Sequence, residues 1–187
     1  MLTPDDINTL AAEVYAQNCR VGWWDDPNRC PLQTLMLVVT EVAEATEGDR
    51  KNLMDDHLPH RKMAEVELAD TLIRLVDLAG HYGWVHLEAP AGWLLEFCHN
   101  AGARHLAIVQ TVVELAEVYT VKTQDPGRGP MLGVVEHAYR QAVATVLRVA
   151  QIEGYDLEGA TREKLAYNAT RADHKRENRA KPGGKGY

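Results

Sequence analysis

Phenylalanine occurs once in the 187 residues, at Phe97, and the β-branched residues fall at helical spacing, so no convincing strand is present. No apolar run reaches the roughly 18 residues needed to span a membrane. The opening "MLTPDDINTL" lacks a basic segment followed by an apolar one, so no secretory signal is expected. The three cysteines, Cys19, Cys30 and Cys98, are odd in number, far apart and form no CxxC pair. That excludes a disulfide framework and a cysteine-based zinc site, and fits a reducing cytoplasm. Positive charge is also scarce: the net charge of −7 argues against broad nucleic-acid binding and suits a protein that holds divalent cations.

What remains is an ordinary soluble composition, 45% hydrophobic and 25% charged, with enough chain for a single all-α domain over 1–187. Thr3 is a natural N-cap with Pro4 at the first helical position and two aspartates in the first turn of "TPDDINTLAAEVYAQNC". "GWWDDPNRCP" reads as a loop. Leu32, Leu35, Met36, Val39, Val42 and Ala43 recur at the helical period over 32–47, with Gly48 as the expected stop. "DRKNLMDDHLPHRK" is a polar connection. Val66, Ala69, Leu72, Ile73 and Val76 define a second amphipathic helix over 63–82. A shorter helix is expected over Trp84–Phe97, interrupted near Pro90, and further helices over 103–122, 131–153 and 158–178. "TQDPGRGP" is the loop in that second half (103–179), and 180–187 reads as a flexible tail. "VTEVAEA" (39–45) resembles "VVELAEV" (112–118), which aligns Glu41 and Glu44 with Glu114 and Glu117, Glu67 with Glu136, and Asp70 with Tyr139. Either this is a degenerate internal repeat, or it is the likeness any two amphipathic hairpins share.

Residues three apart on a helix project from one face. Glu41 and Glu44 therefore point together, as do Glu67 and Asp70. In the first helix both acids point away from the Leu35–Val39–Val42 stripe; in the second, the face opposite Ala69–Ile73–Val76 carries Glu67, Asp70, Arg74, Asp77 and His81. Antiparallel packing of a 31–82 hairpin would bring four carboxylates together. Each like-charge pair at ~4 Å costs about 1 kcal/mol in water and about 4 kcal/mol at an effective dielectric of 20, so a neutralising cation is needed. A hard divalent ion with oxygen ligands is the simplest; Mg²⁺ bridges carboxylates to substrate phosphates. The plain alternative is a solvated acidic face with Arg74 paired to Asp70.

"TEVAE" (40–44), a spacer of 22 residues (45–66) and "ELAD" (67–70) resemble the EExxE…ExxD pattern of the MazG-like all-α nucleoside triphosphate pyrophosphatases. Thr40 stands where that pattern has its first glutamate. "GWW" and "KLAYNATRADHKRENRAKPGGKGY" are similar to phage and bacterial members. The resemblance implies a MazG-type helical bundle that hydrolyses a (deoxy)nucleoside triphosphate to monophosphate and pyrophosphate. It makes Glu41, Glu44, Glu67 and Asp70 ligands of Mg²⁺, with Mn²⁺ as a substitute, and it implies a homo-oligomer. Lys164, Asn168 and Arg171 lie at i, i+4 and i+7; by the same resemblance they contact phosphate and sugar or base. Arg50 and Lys51 can add to the site from the other side.

Other features are weighed against plainer readings. Trp23 and Trp24 are expected to be packing anchors ahead of base-stacking platforms. His57 and His60 in "DDHLPH" have a ligand-like gap that Pro59 spoils, so they read as an exposed loop. "PGGKGY" follows no strand and opens no helix, which rejects a phosphate-gripping loop. Glu67 and Asp70 lack the Glu-x-x-His partners of a di-iron bundle. The rival to the enzyme is a catalytically inactive helical protein of the same type, a nucleotide-binding or protein-interaction module, which Thr40 and Tyr139 favour.

Overall fold

The computed structural model describes residues 2–124, 132–171 and 176–179. Among them the chain forms seven α-helices: α1 (Pro4–Arg20), α2 (Pro31–Lys51), α3 (Met63–Tyr82), α4 (Ala101–Gln124), α5 (Leu132–Glu153), α6 (Leu157–Thr170) and α7 (Arg176–Arg179). There is no strand among these residues, only an isolated antiparallel bridge between Met54 and Lys62 in the α2–α3 connection. The all-α expectation holds. Among the described residues no helix is long and apolar enough to cross a membrane. The 180–187 tail and most of the "TQDPGRGP" loop lie outside the described residues.

α3 is the central element. Fourteen of its twenty residues are buried, Ala64 to Ala79 almost without a break, because α2, α1, α6 and α5 all pack against it. The buried set includes Glu65, Glu67, Thr71 and Asp77, so the helix is enclosed on its polar side as well, and each large aliphatic side chain buried there stabilises the fold by roughly 1.5–3 kcal/mol. α2 and α3 form the antiparallel hairpin expected from their spacing: Gly48 near the end of α2 meets the start of α3, and Glu41 meets Arg74 further along. α4 and α5 form the second hairpin, with α4 also against α2.

Three expectations change. Gly48 does not stop α2, which continues to Lys51 and ends at Asn52 in the left-handed conformation. A Cβ at Gly48 would lie 2.9 Å from both the Ala64 nitrogen and the Met63 Cβ, so that glycine serves the close approach of α3. Residues 84–92 are not helical, and only a short 3₁₀ turn forms at Trp93–Phe97. The extended stretch gains its backbone partners from other elements: His86 N–H donates to Asn8, and Val85 C=O accepts from Arg140. The last long helix ends at Thr170, where Arg171 turns extended (φ −64°, ψ 127°). The expected α1 start is present as a capping box, Thr3 with Asp6.

Candidate functional site

Glu41 from α2 and Glu67 and Asp70 from α3 each place a carboxylate oxygen so that all three lie within 4.8 Å of one another. Glu44, one turn beyond Glu41, lines the same cleft from a more exposed position. The buried side of α2 is Thr34, Leu35, Val38, Glu41, Val42 and Ala45, so Glu41 belongs to the inward stripe rather than pointing away from it; Val39 is only half-buried. Of the grouping expected on α3, Glu67, Asp70, Arg74 and Asp77 open on this cleft of about 610 Å³, while His81 does not line it and stacks on Trp24 instead.

α6 forms the facing wall. Lys164, Asn168 and Arg171 all line the cleft, Arg171 although it lies just past the helix end. Lys164 is 4% exposed, and its Nζ lies 2.8 Å from Asp70 Oδ2. With Asp70 so engaged, Arg74 reaches across to α2 instead of one turn back, and its guanidinium lies 2.5 Å from Glu41 Oε1. Four carboxylates thus face two buried or half-buried cations of the protein itself.

The remaining negative charge is reduced by a proton. Burial, aided by Asp70 and by a hydrogen bond to Glu41, pushes the Glu67 carboxyl up to about 9. Asp70 is raised by burial against the pull of Lys164, and Glu44 by burial together with Glu41 and Asp70. Lys164 keeps its charge: burial opposes it, but Asp70 and Glu67 outweigh that and raise it. These residues fit a divalent cation. Neighbouring ligands of six-coordinate Mg²⁺ stand about 3 Å apart and opposite ones about 4.2 Å, so three oxygens grouped within 4.8 Å of one another can close on one ion, and all are of the hard type that Mg²⁺ and Mn²⁺ prefer.

Lys51 is not brought to the cleft. It lies seven residues beyond Glu44, about 10 Å along the helix, and its exposed amine pairs with Glu47, as does Arg50. The likeness between the hairpins does not extend to a second site. Tyr139 is fully buried beside Trp84 and His86, Glu136 pairs with Arg140, and Glu114 pairs with Gln110. Glu41, Glu67 and Asp70 form the one such metal-compatible group among the described residues.

The sequence reading missed part of the lining. Trp24 is a packing anchor as expected: it donates to Asp77 at 3.0 Å and stacks on His81 at 3.9 Å. Trp23, Arg29 and Asn18, however, line the far end of the cleft, and the exposed His57 reaches its rim against Tyr167. Asp77, buried and pushed up to about 6, sits there too. Only Asp77 carried a sequence signal, being seven residues from Asp70; the others come from loops or from α1. No family model, curated protein or solved structure matches the chain.

Proposed function

We propose that the chain hydrolyses a (deoxy)nucleoside triphosphate to the monophosphate and pyrophosphate, with Mg²⁺ held by Glu41, Glu44, Glu67 and Asp70 in a MazG-type bundle. The observation that carries this reading is the convergence of those acids with Lys164, Asn168 and Arg171 on one cleft. A metal-bound triphosphate needs both: acids for the ion, and cations and hydrogen-bond donors for the phosphates. Bound Mg²⁺ would neutralise phosphate charge and lower the pKa of a water that attacks the α-phosphorus. The chain's own part is positional. The α2–α3 acids fix where the ion sits, Arg171 and Asn168 hold the phosphates, and the half-enclosed walls limit access of bulk water. The new P–O bond forms to water and the α–β bridging bond breaks, leaving pyrophosphate.

Pyrophosphate release from a nucleotide panel, with Mg²⁺ and with Mg²⁺ plus chelator, tests the reading; no release with any triphosphate rejects it. One observation favours the inactive alternative. Thr40 lines the cleft but donates its hydroxyl to Met36 C=O in its own helix, so it supplies no replacement for a fifth carboxylate. Absence of turnover is the result that alternative requires, with nucleotide binding retained for a nucleotide-binding module and lost for a protein-interaction module. The proposal also carries self-association. Leu106, Val113 and Val121 leave an apolar strip exposed on α4 that a second copy would cover, and sedimentation equilibrium checks this.

A further inference from the structure

The proposed function assigns Lys164 to the triphosphate, yet its amine is engaged with Asp70 at 2.8 Å. Asp70 is one of the three residues whose oxygens converge, and Lys164 is 4% exposed. An ammonium and a divalent cation on the same buried carboxylate repel each other, and the low local dielectric strengthens that repulsion. They therefore compete for it.

We propose that Lys164 is an exchangeable internal counter-ion: it holds Asp70 until a divalent cation takes that carboxylate, and its amine is then released toward the phosphates. This rests on the metal-dependent reading above. Two further features support the exchange. The stem of α6 is fixed, because Arg61 grips Glu163, the residue before Lys164, through two hydrogen bonds of 2.9 and 2.8 Å. The movement is thus confined to the flexible lysine side chain. One turn along α6, Asn168 Oδ1 is buried without a hydrogen-bond partner. Side chains at i and i+4 are neighbours on a helix, so this oxygen is an acceptor for the released ammonium on the wall that also carries Arg171. Metal loading then creates the cationic surface that the nucleotide needs, and the two ligands bind with positive coupling.

The test compares the wild type with Lys164→Met, which keeps an unbranched side chain one atom shorter and removes the charge. Mn²⁺ is titrated calorimetrically into chelator-treated protein without nucleotide, at one pH and ionic strength. The variant is expected to bind Mn²⁺ about tenfold more tightly, within the usual range of coupling between sites. It is also expected to bind a non-hydrolysable α,β-methylene triphosphate more weakly once Mn²⁺ is present. Equal or weaker Mn²⁺ binding by the variant overturns the exchange while leaving the metal site standing. No Mn²⁺ binding by either protein overturns the metal reading and the exchange with it. A measurement on the wild type alone covers a variant that misfolds: labelling of Lys164 by an amine-reactive reagent, read by peptide mass spectrometry, should rise on adding Mn²⁺. Unchanged labelling overturns the exchange.

Discussion

Arg61 grips Glu163 with a two-bond fork, Nε to Oε2 at 2.9 Å and an Nη to Oε1 at 2.8 Å. The same guanidinium pairs with Glu65 and Asp156, so one residue of the α2–α3 connection ties α6 to the start of α3. The planar fork suits this and a lysine would not reproduce it. Because Glu163 precedes Lys164, Arg61 positions the phosphate-facing wall without touching the cleft. Arg61→Ala should lower the melting temperature by roughly 5 °C and raise the nucleotide KM more than it lowers kcat. Arg61 holds the Glu163 carboxyl down to about 2, well below its usual 4.5. That contribution is present above pH 4.5 and lost as pH falls toward 2. The melting-temperature gap between wild type and variant should accordingly narrow over that window; a constant gap would assign the loss to packing.

The acids should separate by their partners. Glu44 is the most exposed of the four and Asp70 the one paired to a buried lysine. Glu44→Ala should abolish Mg²⁺-dependent turnover with a stability change within about 0.5 kcal/mol. Asp70→Ala should abolish turnover and also destabilise, because Lys164 loses its partner inside the protein. Removing a carboxylate from the cluster is thus not simply a relief of repulsion. Glu114→Ala should leave turnover near normal, as that residue lies outside the cleft lining. Denaturant titrations beside pyrophosphate assays check all three, and activity surviving in both Glu44→Ala and Asp70→Ala would remove the metal assignment.

Glu67 supplies the pH dependence. Its carboxyl, ordinarily near 4.5, is pushed up to about 9 by burial and its acidic neighbours. Between those values the folded protein holds a proton that the unfolded chain has released, so stability falls as pH rises from about 4.5 to about 9. Glu67→Gln, which keeps a neutral side chain at every pH, should show a flatter decline in chelator-treated protein. Metal ligation needs the carboxylate, so Mn²⁺ affinity should climb with pH over the same interval and proton release should accompany binding. Calorimetry in buffers of different ionisation enthalpy counts those protons. Affinity independent of pH would show that Glu67 is not a ligand.

The helices carrying the site were legible because α2 and α3 repeat apolar residues at the helical period, and the Lys164–Asn168–Arg171 spacing survived even though α6 ends one residue before Arg171. What local pattern could not show was partnership at a distance. Gly48 looks like a helix stop until α3 is seen lying against it. The Trp84–Phe97 stretch is apolar enough for a helix, yet Asn8 and Arg140 supply partners for an extended chain. Likewise, the pairing of Lys164 with Asp70 and of Arg74 with Glu41 depends on three helices meeting, and no spacing within any one of them encodes it.

Arg171 decides whether the α6 wall works on substrate. It lines the cleft from the first extended residue after α6, with its guanidinium 5.7 Å above the Tyr167 ring. A guanidinium offers a planar pair of donors to two phosphate oxygens, which an ammonium cannot match. The acids convert a cation into a binding site, but a metal-bound triphosphate still carries negative charge for the opposite wall to meet. Arg171→Lys should therefore raise KM or lower kcat by about tenfold, and Arg171→Ala by about a hundredfold, the scale of one or two charge-assisted hydrogen bonds. Mn²⁺ affinity without nucleotide should barely change in either variant, since Asp70 and Glu41 have Lys164 and Arg74 as their ion-pair partners. That distinguishes Arg171 from Lys164, whose removal should tighten the metal. Calorimetric titrations of Mn²⁺ with and without nucleotide check both halves. Unchanged nucleotide affinity in Arg171→Ala would return this end of α6 to a solvated cationic face and leave the phosphate partner to be sought at Arg29 and His57, on the other walls of the same cleft.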